Sequence, residues 1–317
     1  MAVIHDITEL IGHTPLLKLS GMGVPAGVDV YAKLEMMNPG GSIKDRLGDM
    51  LIKEALASGK LRPGGTIIEA TAGNTGIGLA LSARKHQLHP IFCVPEHFSQ
   101  EKQQLMKALG AEIIHTPRKD GMKGAIDRAL ELEASLDNAY CVLQFKNQVN
   151  PLTYYKTLGP EIWSDLQGNI DVFVAGAGSG GTFQGCAAYL KEQKEAIKTV
   201  IVEPEGSILN GGKPGPHRTE GIGLEFIPDY MESTLFDEIY TVSDDDAFRM
   251  VKEVAEKEGV LLGSSSGAAL FAALEEAKKA SPGTVIVTIF PDSSERYLSK
   301  GIYEGGKLNE AKNNDDS

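Results

Sequence analysis

The sequence predicts an α/β protein with mainly parallel sheets, divided into two domains, and three observations carry that prediction. The chain has 317 residues, more than a single core of roughly 100 to 200 residues needs. Between Gly65 and Phe145 short β-branched runs alternate with helical patterns, and the same rhythm resumes after Pro151. Such alternation requires crossover connections, and these give a parallel sheet covered by helices on its faces.

Taken in order, GTIIEAT, HPIFCVP, AEIIHTP and AYCVLQF read as four strands, joined by the helices NTGIGLALSARK, SQEKQQLMKALG and GMKGAIDRALELEAS. After Pro151 come a helix PLTYYKTLGPEIWSDL, the strand DVFVAG, the helix TFQGCAAYLKEQ and the strand TVIVEP. A loop rich in glycine and proline, residues 206–228, interrupts the pattern before the strand DEIYTVS, the helices DDDAFRMVKEVAEKE and GAALFAALEEAKKA, and the strand TVIVTIF. No internal repeat appears, which excludes a solenoid. The last eleven residues, KLNEAKNNDDS, are polar without apolar periodicity and are expected to form a mobile tail.

Forty-three acidic against 31 basic residues give a net charge of −12, which repels phosphate backbones and anionic lipid surfaces, so neither nucleic acid nor membrane is expected as a partner. The three cysteines, Cys93, Cys141 and Cys186, are odd in number and lack CxxC spacing, so they read as packing in a reduced cytosol, and no metal site is expected. The N-terminal MAVIHDITEL has no basic region, and no apolar run approaches the roughly 20 residues of a membrane span. A cytoplasmic location follows as the expectation.

Ligands of open parallel sheets settle beyond the carboxyl ends of strands, where glycine-rich turns expose helix N-termini. Four such turns stand out. In the first, Asn38 to Arg46, an S-x-x-D pattern of Ser42 and Asp45 predicts a cap that sets Lys44 in the first helical turn. The helix dipole and desolvation there both favour the neutral amine that a Schiff base needs; the plain alternative is a surface lysine. The second, Thr71-Ala72-Gly73-Asn74-Thr75-Gly76, offers backbone N–H groups and hydroxyls to an anion such as an amino-acid carboxylate, where a mere tight turn needs only the glycines.

The third turn, Gly176 to Thr182, matches G-x-G-x-x-G and predicts a phosphate site. Glu203 ends the following strand about 20 residues on, as a nicotinamide-dinucleotide site requires, so an oxidoreductase is a rival reading. The fourth, Gly263-Ser264-Ser265-Ser266-Gly267, places a serine to face a pyridine nitrogen or simply to cap a helix.

Together NPGGSIKDR, TAGNTGIGLA, QFKNQVNP, GAGSGGT, EGIGLEFIP, GSSSGAA and PDSSERYLS resemble the fold-type II pyridoxal-phosphate family of cysteine synthases and cystathionine β-synthases, over residues 7–306. The resemblance implies a tryptophan synthase β-like fold of two three-layer α/β/α domains. Residues 1–37 and 151–317 would form a large cofactor domain, and 38–150 a small mobile one carrying the substrate-carboxylate loop. It also implies pyridoxal 5'-phosphate bound to Lys44, a hydrogen bond from Asn74 to the ring hydroxyl, phosphate held by Gly178, Ser179, Gly180, Gly181 and Thr182, and Ser265 at the pyridine nitrogen. Thr71, Ala72, Gly73, Asn74, Thr75 and Gln144 would take the substrate carboxylate, although many family members carry a serine where this chain has Ala72.

The chemistry implied is β-replacement through an aminoacrylate, with Lys44 as anchor and as base at Cα. A serine at the ring nitrogen suits prompt elimination better than transamination. Glu220 ahead of Gly221-Ile222-Gly223 resembles the cystathionine branch, so that Glu220 and Gly221 would meet homocysteine. The expectation is a short bacterial form, a homodimer acting on small molecules. It would join O-acetylserine or serine to homocysteine to give cystathionine, with sulfide as the alternative acceptor giving cysteine.

Overall fold

The computed structural model describes residues 3–96 and 99–304, so the expected tail at 307–317 lies outside the described residues. The run from Gly65 to Phe145 folds as its periodicity predicts, except that its last strand, expected over AYCVLQF, ends at Cys141. The strands β3 (Thr66–Ala70), β4 (His89–Pro95), β5 (Glu112–Thr116) and β6 (Ala139–Cys141) form one sheet in the order β5-β4-β3-β6. Every pair is parallel. The helices α2 (Asn74–Ala83), α3 (Gln100–Ala108) and α4 (Gly121–Ser135) connect them.

A second sheet has the order β1-β2-β10-β7-β8-β9. It contains β7 (Val172–Gly176), β8 (Lys198–Pro204), β9 (Glu238–Val242) and β10 (Val285–Phe290), all parallel, and the helices α7 (Gly181–Gln193), α8 (Asp244–Glu258) and α9 (Ser264–Lys279). All six residues of β10 are buried, as are the first four of β7. Helices cover both faces of such a sheet, which is why these strands read as unbroken apolar runs.

Two strands escaped sequence analysis. β1 (Leu16–Lys18) pairs antiparallel with β2 (Asp29–Leu34), and β2 joins β10 in parallel. β1 is too short to show a period, whereas the buried Val30, Ala32 and Leu34 of β2 carry the alternation that marks it.

Two boundaries also differ. The helix expected over PLTYYKTLGPEIWSDL is two, α5 (Val149–Lys156) and α6 (Leu158–Asp165), broken at Thr157. Pro160 has no N–H and its ring collides with the carbonyl four residues back, while the Thr157 hydroxyl donates to the Thr153 carbonyl at 2.7 Å. The helix expected from Gly267 begins at Ser264 instead, since Gly263 is its extended cap residue.

The helix α1 (Lys44–Ala57) packs against α2 and α5 and is fixed by buried charge. Arg46 donates to Glu35 at 2.7 and 2.9 Å and to Glu161 at 2.6 and 2.7 Å. Burial opposes the guanidinium charge, but these two carboxylates outweigh it and hold Arg46 more firmly protonated than usual. Removing Arg46 would strand the buried Glu35 carboxylate, at a cost of about 3–5 kcal/mol. No helix among the described residues is long and apolar enough to cross a membrane.

Candidate active site

Two glycines bring the first two turns together. A Cβ on Gly78 of α2 would lie 2.3 Å from the Lys44 carbonyl oxygen, and one on Gly48 of α1 would lie 2.3 Å from the Gly78 carbonyl carbon. The helices therefore touch backbone to backbone, and Lys44 opens α1 beside the turn that opens α2. The Lys44 amine stands 5.8 Å from the centre of the Tyr154 ring and makes no hydrogen bond or ion pair among the described residues. Burial lowers its pKa to about 8, so a neutral, nucleophilic fraction exists near physiological pH.

The expected S-x-x-D cap is corrected here. Ile43 is the cap residue of α1 and supplies no side-chain bond, while the Ser42 hydroxyl accepts from the Lys44 N–H at 3.2 Å. The Asp45 carboxylate reaches back past Ser42 to the Gly40 N–H, at 2.5 Å. Burial raises its pKa to about 7. The glycine turn before the helix gives Asp45 a nearer donor than the capping position does.

The second turn is open at Gly73, although a Cβ on Gly76, in the first turn of α2, would lie 2.3 Å from Met106 Sδ. A Cβ on Gly73 would meet nothing within 4 Å, and Gly73 caps α2 without a side-chain bond, which leaves the first N–H groups of that helix free for an anion. Thr71 is buried, and its hydroxyl accepts from the Gly73 N–H at 3.3 Å. Thr75 donates to Gln144 Oε1 at 2.8 Å, and Ala72 is half-buried beside them. Thr71, Thr75 and Gln144 thus surround one turn although Gln144 follows β6.

The third turn is crowded. Gly180 has a left-handed backbone, φ +80°, and caps α7 without a side-chain bond. Cβ atoms on Gly178, Gly180 and Gly181 would lie 2.2 Å from the Gly221 carbonyl oxygen, 2.1 Å from Met231 Sδ and 2.0 Å from Asn150 Oδ1. Only glycine fits each position, and the free end of α7, with Thr182 in its first turn, is again suited to an anion. Ser179 is buried, its hydroxyl 3.0 Å from Asn150 Nδ2 and its carbonyl 2.7 Å from the Tyr230 hydroxyl. Asn150 and Tyr230 also reach the Gln144 carbonyl, at 2.9 and 3.1 Å, and so join the phosphate-type loop to the carboxylate-type loop. Neither residue stands out in the sequence by itself; the signal for Asn150 is its place within the QFKNQVNP motif.

Ser265 is buried in the first turn of α9, and a Cβ on Gly221 would lie 3.7 Å from its hydroxyl oxygen. None of the serines caps that helix; Ser264 instead accepts from the Glu220 N–H at 2.9 Å. The Glu220 carboxylate is not a solvated loop acid. Burial opposes its ionisation, but Lys102 at 2.8 Å and Lys300 outweigh that and hold its pKa below the usual carboxylate range. Lys102 arrives from α3, so Glu220 ties the two sheets' surroundings together.

Glu203 removes the rival reading. It is buried, and its carboxylate accepts from the N–H groups of Leu209 and Asn210 at 2.8 and 3.0 Å and from the Thr241 hydroxyl at 3.1 Å. The acid that a dinucleotide ribose would need is committed to its own loop.

The residues matched by the pyridoxal-phosphate dependent enzyme family are 7–292. A protein of Bacillus subtilis named O-acetylserine dependent cystathionine beta-synthase is 76% identical over 306 residues, 96% of this chain and 100% of its own length. A Helicobacter pylori protein named cysteine synthase is 54% identical over 305 residues, 96% of this chain and 100% of its own. The crystal structure of an O-acetylserine dependent cystathionine beta-synthase from Helicobacter pylori superposes with a TM-score of 0.92 at 54% identity, covering 96% of this chain and 100% of that one. The donor set fits the cofactor of that family, with a desolvated amine for an aldehyde and a glycine-lined helix end for a phosphate. The chain belongs to the pyridoxal-phosphate dependent enzymes.

Proposed function

We propose that the enzyme replaces the β-substituent of O-acetylserine or serine with homocysteine, giving cystathionine, and that sulfide is an alternative acceptor giving cysteine. The observation that carries the reading is the Lys44 amine, lowered to about 8 by burial and without a hydrogen-bond partner among the described residues, beside the open end of α2. The names of the Bacillus subtilis and Helicobacter pylori relatives support the donor, the acceptor and its alternative.

In this reading Lys44 holds the cofactor, Gly178, Ser179, Gly180, Gly181 and Thr182 bind its phosphate, Asn74 donates to the ring oxygen, and Ser265 faces the ring nitrogen. Pyridoxal phosphate, when bound, supplies an aldehyde for the amine and a ring that takes up the electron pair released at Cα. Thr71, Ala72, Gly73, Asn74, Thr75 and Gln144 bind the donor's carboxylate. The freed Lys44 amine then removes the α-proton and returns it after the thiol adds. Glu220, with Gly221 beside it, receives the ammonium group of homocysteine in exchange for Lys102 or Lys300.

We take residues 38–150 as a small unit that moves against 1–37 and 151–317, and the protein as a cytoplasmic homodimer. Its three cysteines are free and buried, which suits a reducing compartment. The test is a competition of homocysteine against sulfide with O-acetylserine as donor. Glu220→Gln should lower use of homocysteine relative to sulfide by about tenfold or more, the range of a charged hydrogen bond. Equal loss with both acceptors would remove the role given to Glu220, and absence of acetate release would remove the reaction.

A further inference from the structure

Both ends of the Asn74 amide are held by one distant segment. Its Nδ2 donates to Asp292 Oδ2 at 2.6 Å, and its Oδ1 accepts from Arg296 Nη1 at 2.5 Å. The holders are themselves anchored. Asp292 is 1% exposed, receives the Tyr297 hydroxyl on the same Oδ2, and pairs its backbone with Ser42. The Asp292 carbonyl accepts from the Gly263 N–H at 3.1 Å, and Arg296 also donates to the Gly40 carbonyl. The clamp is thus braced against the turns that precede α1 and α9.

Shape does not distinguish the two ends of an amide, but charge does. Turned over, the NH2 group would face a guanidinium and the carbonyl a carboxylate, exchanging two charge-assisted hydrogen bonds for two repulsive contacts. In the clamped orientation the oxygen is turned toward Arg296 and one of the two Nδ2 protons is used. A single N–H remains.

We propose that Asp292 and Arg296 are positioning residues that turn Asn74 so that it can present only an N–H to the ring oxygen of the lysine-linked cofactor. A fixed donor there favours the tautomer in which that oxygen is anionic and the proton sits on the nitrogen contributed by Lys44. The proton moves from oxygen to nitrogen within one molecule, so nothing is gained or lost. The inference rests on the reading of Asn74 as a cofactor contact.

The test is the absorption spectrum of the loaded enzyme at one pH, as the ratio of the long-wavelength band of the anionic-oxygen tautomer to the near-ultraviolet band of the neutral one. Asp292→Ala and Arg296→Leu should each lower that ratio about three- to tenfold, the range of one hydrogen bond. Asp292→Asn keeps an oxygen acceptor but loses the charge, so with Arg296 still facing Asn74 Oδ1 it should fall between the parent and Asp292→Ala. If Asp292→Ala fails to fold or load, Arg296→Leu decides. Parent-like spectra for Arg296→Leu and Asp292→Ala, alongside a shifted Asn74→Ala, would overturn the clamp and leave the Asn74 contact standing; an unshifted Asn74→Ala would overturn that contact and the clamp with it. A shift in Asp292→Asn as large as in Asp292→Ala would also overturn it, because the acceptor would then not be the cause.

Discussion

The two anion-binding turns are built in opposite ways. The Gly176 to Thr182 turn of the larger sheet is closed by crowding, with atoms of Gly221, Met231 and Asn150 within 2.2 Å of where Cβ atoms would stand. The Thr71 to Thr75 turn of the smaller sheet leaves Gly73 in open space, and its Thr71 and Thr75 hydroxyls are held by neutral hydrogen bonds to the Gly73 N–H and to Gln144. Close packing admits one shape, whereas hydrogen bonds worth about 1 kcal/mol each exchange partners readily. A phosphate that stays through every turnover suits the first construction, and a carboxylate that enters and leaves suits the second.

The comparison breaks most visibly at its glycines. Gly178→Ala drives a Cβ into the Gly221 carbonyl, a backbone atom that cannot swing aside. Overpacking of about 1–3 kcal/mol follows, so cofactor retained after dialysis, read by absorbance, should fall about tenfold or more. Gly73→Ala should keep the cofactor and raise the KM for the amino-acid donor instead. Equal cofactor loss in both variants would erase the distinction.

Lys44, lying between the turns, sharpens it through pH. Its amine is depressed to about 8 from the ordinary 10.5, and only the neutral form attacks an aldehyde. Loading of cofactor-free protein with pyridoxal phosphate should therefore accelerate as pH rises through about 8 and level off above it, where an ordinary lysine would keep accelerating. Between those two values the unfolded chain holds a proton on Lys44 that the folded chain lacks, which makes stability rise with pH. The buried Cys93, Cys141 and Cys186 thiols, pushed up by burial, act in the opposite direction in both proteins. The cofactor-free parent should therefore gain stability with pH relative to Lys44→Met. Melting temperatures of the two proteins check the sign.

The smallest effect belongs to the open turn. Thr75→Ala removes the donor to Gln144 Oε1, a loss of about 1 kcal/mol. The donor's KM should rise several-fold with the cofactor band unchanged, and Thr75→Ser should restore it.

Where structure followed local pattern, the sequence was legible. The four strands and three helices from Gly65 to Phe145 each carry a period, and the alternation alone implies parallel pairing. β1 did not show because three residues hold no period, and the break at Thr157 hid inside a good helical pattern despite Pro160. Lys44, Thr75, Gln144 and Ser265 were named from the sequence, but their partners were not. Asn74 meets Asp292 and Arg296 across 218 and 222 positions, and Asn150 meets Tyr230 across 80. Such pairings are set by how two sheets face each other, which no local period encodes. Glu220 shows the same limit, since Lys102 and Lys300 bracket it from two other elements.

The central claim is that the desolvated Lys44 amine carries the cofactor. Purified protein reduced with borohydride, digested and mapped by mass spectrometry tests it directly. The predicted result is loss of the yellow colour with a pyridoxyl group on the peptide containing Lys44 and on no other. A label on another lysine, such as Lys102 or Lys33, or colour that survives reduction with no labelled peptide, would contradict it.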